Sequence, residues 1–206
     1  MIRIALPWGC AVVPSDAVTD QIIRLATGAV RNGDRAQFLV LDLLPVAIYV
    51  TDAEGFVSYF NPSCIELAGR WPIVGSDRWC VSWKLYTDQG QFLPHDQCPM
   101  AIAIKTKQAV RGITAIAERP NGSRVSFLPF ATPVLDVHDE LLGAVNVMVV
   151  VADHLLPLAR DMHGDPEAWQ DILVGEALAG FTTDDLMDLV TEIERELNRK
   201  IPRALN

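Results

Sequence analysis

The stretch from Leu44 to Ala152 constrains this chain most. Turn signals divide it into two short β-rich runs, a helical middle and three longer β-rich runs. Val46 to Thr51 has the β-branched and aromatic content of a strand, and Phe56 to Phe60 alternates as a second. Asp52-Ala53-Glu54-Gly55 between them predicts a hairpin turn, with Gly55 free to take positive φ. Asn61-Pro62 then starts a helix. Asn61 is expected to cap the free N–H groups, and a proline at the first helical position gives up no hydrogen bond. Cys64, Ile65 and Leu67 lie along that helix, which ends by Gly69. Residues 70–94 read as irregular, and a helix follows from Pro99 to Lys107. Val110 to Arg119 and Arg124 to Leu135 are strands joined through Pro120-Asn121-Gly122-Ser123, Asn-Gly being a strong hairpin signal. Pro129 and Pro133 donate no ladder hydrogen bond, so each must face an unpaired side. Asp136 to Glu140 turns again, and Leu141 to Val151 is the last and most buried strand.

This order predicts an α+β fold, one antiparallel sheet covered on one face by helices. Helical signals continue on both sides of it. Ser15 is a candidate N-cap for a helix with Val18, Ile22, Leu25, Ala26, Ala29 and Val30 on one face, stopped by Asn32-Gly33. Beyond Asp153, Asp165-Pro166-Glu167 and Phe181-Thr182 open further helices. The second of these carries the stripe Leu186, Leu189, Val190, Ile193 and Leu197 with acids opposite. The expected organisation is an N-terminal extension with one helix (1–35), a central domain (36–153) and an acidic helical C-terminal extension (154–206).

Charge narrows the classes of partner. The chain of 206 residues carries a net charge of −9, and residues 153–206 hold twelve acids against five bases. Unaided nucleic-acid binding needs basic surface to neutralise phosphates, and docking on anionic membrane needs the same, so neither is expected. Cys10, Cys64, Cys80 and Cys98 form no Cys-x-x-Cys pair, which points to free thiols and a cytoplasmic setting. Pro7, Gly9 and Pro14 break the N-terminal apolar run, so no secretory signal is expected. The apolar run Leu141 to Ala152 is too short to span a bilayer. No Gly-rich phosphate loop, Gly-x-Ser-x-Gly elbow or His-Glu-x-x-His pair is present, so no enzyme is expected.

The run Leu44-Pro45-Val46-Ala47-Ile48-Tyr49-Val50-Thr51-Asp52-Ala53-Glu54-Gly55 resembles the opening of a PAS domain, the small sensory module of bacterial signalling proteins. The hairpin Glu118-Arg119-Pro120-Asn121-Gly122-Ser123-Arg124-Val125 and the Gly143-Ala144-Val145-Asn146 run strengthen the resemblance, which covers roughly residues 36–153. It implies a five-stranded sheet of order 2-1-5-4-3, a cavity between the sheet and the central helices, and a non-catalytic sensor that binds a small ligand or a protein partner. It further implies signalling through the flanking helices and a homodimer, with the helix from Ser15 or the C-terminal helices at the interface.

The candidate pocket residues are Asn61, Trp79, Trp83, His95, Arg111 and Asn146. Trp71, Trp79, Trp83, Tyr86 and Phe92 form an aromatic cluster that either packs over the sheet or walls a pocket. His95, followed by Asp96, resembles the axial ligand of haem-based oxygen sensors of this family and is the one candidate for a haem cofactor. The same residue suits a helix cap. His95-x-x-Cys98 has half the spacing of a zinc site and lacks a second half, so no metal is expected. Light-sensing members carry Asn-Cys-Arg-Phe, whereas this chain has Asn61-Pro62-Ser63-Cys64. Cys64 and Cys80 are therefore expected to be small buried hydrophobes.

Overall fold

Leu141–Val151 is the most apolar strand of the chain, and it lies inside the sheet with a partner on either side. The computed structural model describes residues 15–33 and 35–151, together with Asp184, Asp185, Asp188, Thr191 and Arg195. The elements are α1 (Ser15–Asn32), α2 (Arg35–Leu41), β1 (Ala47–Asp52), β2 (Val57–Phe60) and α3 (Pro62–Ala68). Then follow β3 (Lys84–Thr87), β4 (Phe92–Leu93), a 3-10 turn at His95–Gln97, α4 (Pro99–Thr106), β5 (Ala115–Glu118), β6 (Arg124–Leu135) and β7 (Leu141–Val151). All paired strands are antiparallel, in the order β2-β1-β7-β6-β5-β3-β4.

Five of these strands, β2-β1-β7-β6-β5, have the expected order 2-1-5-4-3. The sheet has seven strands because residues 70–94 are not wholly irregular: β3 pairs with β5, and the two-residue β4 pairs with β3. Lys84-Leu85-Tyr86-Thr87 is too short for its alternation to stand out among the tryptophans and glycines around it. The strand expected over Val110–Arg119 begins only at Ala115, with Val110 held by a single bridge to Ala131. Phe38–Leu44, read only as an apolar segment, contributes the end of α2.

Helices α3 and α4 cover one face of the sheet, as expected, and the N-terminal helices cover the other. Ile22, Ile23 and Ala26 of α1 and Leu41 of α2 pack with Ile48, Val50, Leu128, Phe130, Val145, Val147 and Val149 on the outer face. The inner face carries Ala47 and Tyr49 of β1, Ala115 and Ala117 of β5, Phe127 and Ala131 of β6, and Ala144 and Met148 of β7. These pack with Cys64 and Leu67 of α3 and Met100, Ala101, Ala103 and Ile104 of α4. A strand with helices on both sides reads as a continuous apolar run, as Leu141–Val151 does. The apolar face of α1 is thus spent on its own sheet.

The prolines of β6 have a simple account. The Ala131 carbonyl accepts from Val110 N–H at 2.9 Å, on the side away from β7. Pro129 and Pro133 share that parity, and β5 pairs with β6 only over Arg124–Phe127. Their missing donors therefore face the side where no strand runs. Among the described residues no helix is long and apolar enough to cross a membrane. The C-terminal helices expected from Asp165 and Thr182 lie mostly outside the described residues. Asp184, Asp185, Asp188, Thr191 and Arg195 are helical and exposed.

Candidate functional site

Asn61 follows β2 and precedes Pro62, so its backbone is extended at the N-cap of α3. Its side chain makes no capping bond, contrary to the sequence expectation. The carboxamide turns inward. Nδ2 donates to Leu41 O at 3.0 Å and Val46 O at 2.8 Å, and Oδ1 accepts from Ile48 N–H at 2.9 Å. All of this is buried. A residue whose two donors and whose oxygen all bond to α2 and the entry to β1 is part of the scaffold.

The interior centre is Tyr49, which the sequence did not single out. It stands on the inner face of β1 opposite Asn146 of β7, and it is fully buried. Its hydroxyl donates to Trp79 O at 3.0 Å and accepts from Asn146 Nδ2 at 3.3 Å. Burial pushes the phenol well above its ordinary range, with Cys80, Cys98 and Cys64 adding to the effect. Three thiols surround it. Cys64 Sγ donates to Ile48 O at 3.2 Å, Cys98 Sγ lies 3.5 Å from Trp79 O, and Ser82 N–H points at Cys80 Sγ at 3.4 Å. Burial raises all three, Cys98 to about 12. Thiols held this far from ionisation are poor nucleophiles. Cys64 and Cys80 are buried small side chains, as expected.

Asn146 differs from its neighbours. It is 3% exposed, and its carboxamide oxygen has no hydrogen-bond partner among the described residues. On β6 it faces Ala131, and Ala144 precedes it on the same face, so the floor around it is shallow. Among the described residues no charged side chain is buried. The Ser82 hydroxyl, next to Cys80, is buried and unpaired as well, so this uncharged interior suits an uncharged partner that offers a hydrogen-bond donor to Asn146.

The other candidates do not converge there. Trp79 belongs to the site through its backbone: its carbonyl takes the Tyr49 hydroxyl, while its ring covers Gly55. A Cβ at Gly55 would stand 2.2 Å from Trp79 Cζ3, so the turn needs glycine for space as well as for its φ of +88°. Arg78 and Lys105 flank the Trp79 ring at 4.5 and 5.5 Å. Trp83 is 44% exposed beneath Lys84 Nζ, and Trp71 and Phe92 are 71% and 61% exposed. Trp71 meets Phe60 edge-on and Phe92 meets Tyr86 edge-on, so these rings cover strand ends and do not wall a pocket.

His95 opens the 3-10 turn before α4 and is half-buried. Burial, then the charge of Arg70, lowers its pKa, while Asp77 and Asp96 oppose the shift. Those neighbours belong to the surface loop closed by the Arg70–Asp77 ion pair and to the turn itself. Arg111 sits elsewhere again. Its guanidinium donates to Val110 O and Ala131 O at 2.9 Å and to Thr132 Oγ1 at 2.7 Å, and it lies over the outer-face ring of Phe130. Of the six sequence candidates, the fold brings Asn146 and the Trp79 backbone together around Tyr49. It gives Asn61 and Arg111 hydrogen-bonding work in the scaffold and leaves Trp83 in solvent. Among the described residues no three His, Cys, Asp or Glu side chains are grouped to hold a metal ion.

No family model matches the chain, and no curated protein matches it. Among solved structures, the light state of the blue-light photoreceptor Aureochrome1 LOV matches over 62% of this chain and 97% of its own, with 16% identity and a TM-score of 0.43. A Rhodobacter sphaeroides LOV protein matches over 84% of this chain and 97% of its own, with 16% identity and a TM-score of 0.43. A LOV domain from an Erythrobacter litoralis blue-light activated histidine kinase matches over 52% and 96%, with 18% identity and a TM-score of 0.39. Within the chain itself, the five-strand core has the order 2-1-5-4-3, helices α3 and α4 close its inner face, and the hairpins fall at Gly55 and at Asn121-Gly122. This is the PAS fold that the sequence motifs resemble.

Proposed function

We propose that this chain is a non-catalytic PAS sensory module that binds a small uncharged ligand between the sheet and helices α3 and α4. The carrying observation is the buried, unpartnered carboxamide oxygen of Asn146 beside the Tyr49 hydroxyl. A buried acceptor left unpaired costs about 1–3 kcal/mol, which a donor on a ligand recovers. Tyr49 ties that position to Trp79, and Trp79 ties it to the β1–β2 turn and to α4. Occupancy would be passed outward by a shift of these contacts, read by the flanking helices in a homodimer or by a protein partner. A ligand shifts such an equilibrium only by its differential affinity for the two states.

The test is native mass spectrometry of the freshly purified full chain, with an absorption spectrum of the same sample. A bound small molecule that is lost in Asn146→Leu, with the circular dichroism unchanged, supports the reading. A ligand retained in that variant places the binding elsewhere, and a chain that stays empty against a library of uncharged ligands removes the interior site.

No observation favours the haem alternative. His95 answers to Arg70, Asp77 and Asp96 and shares no hydrogen bond with Tyr49 or Asn146. A light-reactive thiol is likewise no part of the proposal, because the chain has no Asn-Cys-Arg-Phe motif and Cys64 stands in Asn61-Pro62-Ser63-Cys64 with its thiol on Ile48 O.

A further inference from the structure

One end of the sheet gathers basic side chains and exposed tryptophans in a protein that is otherwise acidic. At this end β7 finishes with Val151 paired to Ser126, β6 begins at Arg124, β5 ends at Glu118 and β3 begins at Lys84. Lys84 and Arg124 both reach Glu118, at 3.4 and 2.8 Å, so two cations share one carboxylate. Arg119 follows, with its side chain against Gly69 and its Nε on Leu67 O at 3.1 Å. Arg70 is next to Gly69 in the chain and donates to Val81 O at 2.9 Å, two residues before Trp83. Trp71 and Trp83 thus border a surface carrying Lys84, Arg119 and Arg124, with Arg70 beside them in its ion pair with Asp77.

We propose that the acidic C-terminal segment around residues 184–197 docks on this basic, tryptophan-bearing end of the same chain. Three observations select the occupant. The described chain leaves the sheet at Val151, beside Ser126 and two residues along β6 from Arg124, so the C-terminal segment starts at this end. Residues 153–206 carry twelve acids and five bases, the complement of the surface. Asp184, Asp185, Asp188, Thr191 and Arg195 are helical and exposed, with the spacing of one polar helix face. In the sequence, Leu186, Leu189, Val190, Ile193 and Leu197 form an apolar stripe at helical spacing, and such a stripe needs apolar cover. The outer sheet face is taken by α1 and the inner by α3 and α4. Trp71 and Trp83, at 71% and 44% exposed, offer the apolar surface there, and the cations offer partners for the acids at its rim. The proposal does not depend on the interior ligand.

Hydrogen exchange of the full chain, read by mass spectrometry, tests it. Backbone amides of residues 184–197 are expected to exchange about tenfold faster in Trp71→Ser and in Lys84→Glu/Arg124→Glu, while β6 and β7 keep their protection. Trp71→Ser replaces a solvent-facing ring and leaves the fold intact, so it stands even if the double variant is poorly folded. Carbodiimide cross-links from Lys84 to Glu192, Glu194 or Glu196 are expected within one chain. Unchanged exchange of residues 184–197 in both variants overturns the proposal. So do cross-links that form only between differently isotope-labelled copies, because a second copy is then the occupant.

Discussion

Replacing Asn61 by alanine separates the scaffold reading of that residue from the ligand reading. Three backbone groups lose a partner: Ile48 N–H, Val46 O and Leu41 O. Leu41 O still accepts from Leu44 N–H at 3.3 Å, so its loss is partial, whereas Ile48 N–H loses the Asn61 oxygen at 2.9 Å. Each orphaned buried group costs about 1–3 kcal/mol, which places Asn61→Ala at about 3–5 kcal/mol. A domain is stable by only about 5–15 kcal/mol, so the loss is a large share of the total. Urea unfolding followed by tryptophan fluorescence measures it, with the urea slope checked against wild type to confirm that the same surface is exposed. Asn61→Asp is expected to be at least as damaging near neutral pH, because a carboxylate then faces two carbonyl oxygens. Trp83→Ala, at an exposed ring, is expected to cost under about 1 kcal/mol. An Asn61→Ala cost below about 1 kcal/mol would refute the reasoning, and lost ligand at unchanged stability would restore Asn61 as an anchor.

Tyr49→Phe strands Asn146 Nδ2 and leaves Trp79 O with only the Cys98 thiol, so it is expected to destabilise by about 1–3 kcal/mol, read by the same unfolding assay; an unchanged midpoint would mean that the hydroxyl is dispensable. Gly55→Ala combines a left-handed backbone with a collision against the Trp79 ring, so it is expected to lower stability by about 1–3 kcal/mol and to shift tryptophan emission. For His95 the folded protein prefers the neutral imidazole, since its pKa lies below the ordinary value of about 6.5. The unfolded chain therefore takes up the proton first, and stability present above that value falls as the pH drops below it. His95→Gln should flatten this part of the stability profile between neutral and mildly acidic pH, and an identical slope in both proteins would exclude His95 as its source.

What the sequence made legible were elements with strong local chemistry. The α1 stop at Asn32-Gly33, the turns at Gly55 and Asn121-Gly122, the Pro62 start of α3 and the apolar run of β7 all fall within a residue or two of expectation. Each rests on a backbone preference or a period that needs no tertiary partner. The misses depended on partners. β3 and β4 are strands because β5 offers an edge, and no alternation in four residues could announce that. Asn61 at an N-cap is a sound local expectation, yet three backbone groups, Leu41 O of α2, Val46 O just before β1 and Ile48 N–H of β1, outcompete the cap for its carboxamide. The site was half legible. Asn146 stands out as the polar break in an apolar strand, whereas Tyr49 hides in a run where any aromatic suits a buried strand. A tyrosine at the second inward position of a strand, opposite an inward asparagine, is the signal that pairing of β1 with β7 turns into a hydrogen bond.

Trp79 is where the interior and the surface are joined, and its backbone shows the cost. It has φ of +70°, a conformation that a bulky residue adopts only when its surroundings over-determine it. The determinants are all present. Its N–H donates to Gly55 O at 2.7 Å, its carbonyl takes Tyr49 and lies by the Cys98 thiol, and its ring is pinned between Gly55 and two cations. Relaxing that residue would release the Tyr49 hydroxyl inside and the β1–β2 turn outside in one step. Trp79→Gly removes the strain and the ring together, so its stability gain and loss oppose each other. Its clearer signature is decoupling: hydrogen exchange at the β1–β2 turn should stop responding to Tyr49→Phe. If the turn responds to Tyr49→Phe equally with and without Trp79, the link between interior and surface runs through another residue.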